Sequence, residues 1–128
     1  MGMERAVNYR TTPPAWTAAR DLLAAHGYLL QMRMIDGQLA FPDEQPPDAW
    51  RELRVSTPQG MVTIRREANR LVFVTWGNAE AGLRQAWNAL AWAFAVAGGG
   101  QIETEVGLVN ADDFQRRAEL PPGIALAG

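Results

Sequence analysis

Glu103 and Glu105, two positions apart in QIETEVGLV, are the carboxylates of this sequence best spaced for chemistry. On a strand, residues i and i+2 share a face, so the pair could bind a divalent cation or share a proton. Exposed acids on an edge strand satisfy the same spacing, and that is the simpler reading. His26, the single histidine, closes an apolar helical stretch, where packing and the negative helix end account for it. Ser56 sits in a strand pattern rather than on a strained strand-to-helix turn, so no Ser-His-Asp arrangement is expected. Asp43, Glu44 and Asp48 fall in the proline-rich loop PDEQPPD, without the ligand spacing or glycine of a calcium loop.

Cysteine is absent, which excludes disulfides, thiolate metal sites and thiol catalysis together. All 12 basic residues are arginine, so Schiff-base and lysine-nucleophile chemistry are excluded as well. The glycines at 98–100 follow a helix, whereas phosphate loops precede one, and WGNAEAG around Asn78 lacks both the Walker lysine and the GxGxxG spacing. No cofactor or metal is implied. Net charge is −2, and Glu52 and Glu67 interleave with Arg33, Arg54, Arg65, Arg66 and Arg70, so nucleic acid is not an expected partner.

The elements that must position these groups follow from periodicity. TTPPAWTAARDLLAAHG reads as a helix capped by Thr12, with Pro13 in its first turn and Gly27 at its end; Trp16, Ala19, Leu23 and His26 share its inward face. Asp36-Gly37 marks a hairpin between alternating Leu30, Met32, Met34 and Leu39, Phe41. Residues 51–77 read as a three-strand meander whose last strand, 71–76, is apolar on both alternations and is therefore central or covered on its second face. ERAVNYR reads as a short edge strand, 101–109 as one further strand, and NADDFQRRAEL as a short helix capped by Asn110. Residues 1–3 and 121–128 read as loose tails.

Between these lies QAWNALAWAFAVAGGG, a long helix opened by Asn78 and closed by the glycines. Leu83, Trp87, Leu90 and Phe94 form the stripe a helix lays on a sheet. Membrane insertion fails on length: nine apolar residues follow Asn88, against roughly 20 for a span. Trp92 points to the opposite side with Gln85, Ala89 and Val96, and that second apolar face calls for a cover: another helix of the chain, a second subunit or a ligand.

The fold expected is one α+β domain over 1–128: two layers, an antiparallel sheet of five or six strands with the long helix on one face, in the order (β)-α-β-β-β-β-β-α-(β)-α. No signal peptide is evident, so the cytoplasm is the expected location. The leading functional expectation is a non-catalytic interaction module, a homodimer or adaptor, docking through Gln85, Ala89, Trp92 and Val96. The alternative is a small-molecule binder whose apolar cup between sheet and helix is lined by Met32, Met34, Phe73 and Trp76. A carboxylate-dependent enzyme is the third and least supported.

Overall fold

A computed structural model describes residues 2–76 and 80–125. The strands are β1 (Met3–Asn8), β2 (Gln31–Ile35), β3 (Gln38–Leu39), β4 (Glu52–Thr57), β5 (Gly60–Glu67), β6 (Arg70–Thr75), β7 (Gln101–Thr104) and β8 (Gly107–Val109); the helices are α1 (Trp16–Ala25), α2 (Ala81–Gly98) and α3 (Ala111–Arg117). The fold is α+β. One antiparallel sheet of eight strands runs in the order β3-β2-β4-β5-β6-β1-β7-β8.

The meander and its turns follow the sequence. Asp36 and Gly37 both take positive φ, 50° and 83°, and Ala68 takes 56° between β5 and β6. Strand β6 is central, between β5 and β1, and both its faces are buried. Leu71 and Phe73 enter the main core; Val72 and Val74 join Ala6 in a small cluster on the other side. The register sets Val72 between Ala6 and Arg65, and Val74 between Glu4 and Thr63. Facing residues share a side, so the stems of the Arg65–Glu4 ion pair (3.2 Å) lie beside these valines and shield them.

Two stretches depart from the expected sheet. ERAVNYR was expected at an edge, but β1 lies in the interior, paired along its whole length with β6 because Ala6 and Val7 are apolar on opposite faces. The stretch 101–109, expected as one strand, is a hairpin that turns at Glu105-Val106, with Gly107 at φ 106°. Helix α1 starts at Trp16, after the two prolines rather than within them; Ala15 is its N-cap residue, and Thr12 does not cap it. Of its expected inward face Trp16, Ala19 and Leu23 are buried, whereas His26, at the C-cap, is exposed because the helix ends there.

Helix α2 begins at Ala81 after Glu80; Asn78, expected to cap it, lies outside the described residues. The helix ends through Gly99 at φ 66°, and Gly100 lets the chain pass against Val7 and Tyr9, where a Cβ would meet Val7 Cγ1 at 2.7 Å. Every residue from Ala86 to Ala95 is buried, because the helix is covered on several sides. It rests on β1, β5, β6 and β7, and α1 and α3 pack against it. The segment after α3 closes the remainder: Leu120, Pro121 and Ile124 are buried, so residues 121–125 of the expected loose tail pack against the core, and 126–128 lie outside the described residues. Among the described residues no helix is long and apolar enough to cross a membrane.

Candidate functional site

The sheet opens at one place. Strand β1 pairs with β7 only through Val7↔Ile102 and Asn8↔Gln101, and then the two part. Continued pairing would set Ala6 against Glu103, Arg5 against Thr104 and Glu4 against Glu105. The last of these is a like-charge pair directly across the strands, which disfavours closure. Glu103 is instead drawn sideways: its carboxylate accepts from Asn8 Nδ2 at 2.7 Å and from Arg70 Nε at 3.3 Å. The Asn8 hydrogen bond, then Arg70, hold its pKa below the ordinary carboxyl value. Beyond it the β7–β8 hairpin turns away.

Under this wedge is a cleft of about 610 Å³, walled by β1, the hairpin, α2 and α3. Met3, Val106, Val109, Phe114 and Ala118 supply apolar lining. A smaller cleft of about 330 Å³ adjoins it and reaches Ala6 and Val72 on the other side of the sheet. Glu4, Arg5, Trp87, Thr104 and Glu105 line both.

Arg5 is the group around which these walls converge. It projects from β1 on the inner side, opposite Phe73. Its guanidinium lies over the Trp87 ring, 4.2 Å from the centroid, and 5.1 Å from that of Phe114. Trp87 is fixed in turn, since its indole N–H donates to Phe73 O at 2.8 Å. Asn88 is polar within the buried run of α2: its Oδ1 accepts from Arg5 Nη1, and its Nδ2 donates to Glu119 O at 2.9 Å. Burial lowers the pKa of Arg5, and the Glu105 charge opposes that shift; a guanidinium remains protonated regardless. Among the described residues no carboxylate oxygen lies within 4.0 Å of the Arg5 guanidinium. Arg84 at the rim is tied to Glu119 at 3.2 Å.

The residues singled out from sequence fall elsewhere, with one exception. Glu105 lines the cleft, but Glu103 belongs to the Asn8–Arg70 bridge, so the two do not act as a pair. His26 is exposed; its Nδ1 is 3.0 Å from Gly123 O, and its ring meets Trp92 edge-on with centroids 5.4 Å apart. Ser56 stands on β4 opposite Gln31 and Met61. Among the described residues no group of three His, Cys, Asp or Glu could hold a metal ion. Arg65 and Arg70 are committed to ion pairs, while Arg66 lies on the other face, 4.5 Å from the Trp50 ring centroid.

The second face of α2 is covered by its own chain. Trp92 is 4% exposed and Ala89 0%, and α1 and the segment around Ile124 occupy the space a partner would need. Of the expected interface residues only Val96 is exposed; Gln85 is half-buried and accepts from Gln59 Nε2 at 2.7 Å. The expected cup does not form from its residues either. Met32 and Phe73 are closed into the core and Trp76 is exposed, while β4 and β5 stand between β2 and β6. Sequence reasoning misses both Arg5 and Asn88; Asn88 carries a signal, as a polar residue interrupting the apolar run AWNALAW, whereas Arg5 stands beside Glu4 in MERAVN and carries none. No family model, curated protein or solved structure matches the chain.

Proposed function

We propose that this protein is a non-catalytic binder of a small molecule, and that its ligand sits in the cleft between β1, the β7–β8 hairpin, α2 and α3. The observation that carries the reading is the parting of β1 from β7 directly above Arg5 and Trp87. A sheet that paired to its end would bury this space; here it leaves about 610 Å³, within the range of small-molecule sites. The lining supports binding rather than turnover. Its apolar walls match a ligand body, its central polar groups Arg5 and Asn88 are held by hydrogen bonds, and two of its carboxylates, Glu4 and Glu119, are engaged in ion pairs.

The test is native mass spectrometry on protein purified from its own host, beside an Ala118→Trp variant that fills the cleft from the α3 side. Retained mass on the wild type and its loss from the folded variant are the expected result. A bound molecule that survives Ala118→Trp would move the seat elsewhere.

A further inference from the structure

Resting on that reading of the cleft, we propose that its ligand is a monocarboxylate with an apolar or aromatic body, and that Arg5 receives the carboxylate. The guanidinium has five N–H donors, and the structure commits Nη1 to the Asn88 amide oxygen. The Trp87 and Phe114 rings take the cation by its electrostatic attraction to their faces, which uses none of those donors. Arg5 is half-buried and lines the cleft, so its remaining donors are presented there. A planar fork of N–H groups matches a carboxylate, and in a partly dehydrated site such a pair is far stronger than in water.

Charge selects one negative charge rather than two. Arg84 is paired with Glu119 and Arg70 with Glu67 and Glu103, so these cations are already balanced, and Arg117, exposed at the α3 rim, is the further cation in the lining. Glu4 is paired with Arg65, so Arg5 and Arg117 stand against Glu105 and one positive charge is left over, with no carboxylate among the described residues in contact with Arg5. A phosphate dianion would bring an excess charge beside Glu4 and Glu105, whereas a carboxylate balances the guanidinium. The body of such a ligand would extend from Arg5 along Met3, Val109 and Phe114. Asn88 is the complementary device: a neutral acceptor orients the guanidinium without neutralising it, which an aspartate in its place would do.

The experiment titrates 3-phenylpropionate, 3-phenylpropanamide and 3-phenylpropylphosphonate into the full chain, following the Trp87 indole N–H and the Asn88 side-chain amide by NMR. The carboxylate should bind at least about tenfold more tightly than the amide or the phosphonate, the factor that corresponds to about 1.4 kcal/mol. Arg5→Gln should abolish the difference between acid and amide. Asn88→Asp, which keeps Arg5 and gives it an internal carboxylate, should suppress the acid while leaving the amide unchanged, so the proposal stands even if Arg5→Gln fails to fold. Equal binding of all three probes, lost in Ala118→Trp, would overturn the carboxylate inference and leave the cleft as the ligand seat. No response at Trp87 to the carboxylate would overturn the inference. Binding that Ala118→Trp does not disturb would overturn the cleft reading beneath it.

Discussion

The Arg5–Asn88 hydrogen bond joins two polar side chains at an otherwise apolar contact between β1 and α2, and its energetics can be separated by a double-mutant cycle. Asn88→Leu removes the acceptor of a charged donor, worth about 1.5–3 kcal/mol, and the donor to Glu119 O, worth about 1 kcal/mol. Leucine returns part of this by burying more apolar surface, and half-buried Arg5 can turn to water, so a net cost of about 2–3 kcal/mol is expected. Arg5→Met strands the Asn88 oxygen, at about 1–3 kcal/mol, and loses the attraction to Trp87. The double variant leaves neither group unpaired and places two apolar side chains between Trp87 and Phe114. Replacing a buried polar pair by apolar residues of similar volume is often neutral or stabilising. The double variant should therefore unfold within about 1 kcal/mol of the wild type, giving a coupling energy of at least about 2 kcal/mol in urea denaturation. Additivity within about 0.5 kcal/mol would refute the argument, because it would mean that the two groups do not depend on one another. A stable double variant that no longer binds carboxylates would show that the pair is held for binding at a cost to stability.

Other outcomes follow from the packing and the charges. Trp87→Ala and Trp92→Ala should both lose about 3–5 kcal/mol in thermal or urea melts, since each ring is buried within the chain; a folded Trp92→Ala protein that differs from wild type only in association would restore the interface reading. Light scattering on the wild type should give the mass of one chain, because α1 and the 120–124 segment already cover α2. His26→Gln should cost about 1 kcal/mol or less, the ring being exposed, with one carbonyl and the edge-on contact to Trp92 as its partners; a drop of several kcal/mol in urea melts would contradict that. The Glu103 carboxyl and that of Asp36, which accepts from the Arg51 and Glu52 N–H groups, both titrate below their ordinary values of 4.5 and 3.8. Their contribution is thus present at neutral pH and lost as pH falls through and below those values. Alanine at both positions should flatten the acid side of a Tm-against-pH curve, and an unchanged slope would show that these hydrogen bonds do not stabilise the fold.

Elements that announce themselves locally were legible in the sequence: the Asp36-Gly37 turn, the meander, the Asn110 cap, which accepts from Asp113 N at 2.8 Å, and the glycine stop after α2. Trp87 was legible as core because one helix's period suffices to place it. What covers Trp92 was not, because that depends on where α1 and the 120–124 segment travel in space, and neither carries a local mark of its destination. Leu39 and Phe41, which continue the alternation after the Asp36-Gly37 turn, are 89% and 74% exposed, because the strand there is only two residues long. The cleft escaped for a related reason. It arises where a pairing stops, and the residues that stop it, Glu4 and Glu105, are far apart in sequence and become opposed only once β1 and β7 are neighbours.

The position of β1 has a consequence for how the chain assembles. Strands β2 to β6, joined by short turns except for the loop 40–51 between β3 and β4, can form a ribbon from contacts close in sequence, and β7 with β8 makes a second, separate hairpin. Among the described strands only β1 pairs with both, and its partners lie near residues 70–75 and 101–102. Such distant pairing is slow because the intervening chain must be closed into a loop before any contact rewards it. During synthesis the earliest strand of the fold therefore waits, with Ala6 and Val7 unprotected, until β6 has emerged, and the sheet becomes one piece only at its insertion. The cleft is then complete only when β1, α2 and the segment from β7 to α3 have come together, since no one of them walls it alone.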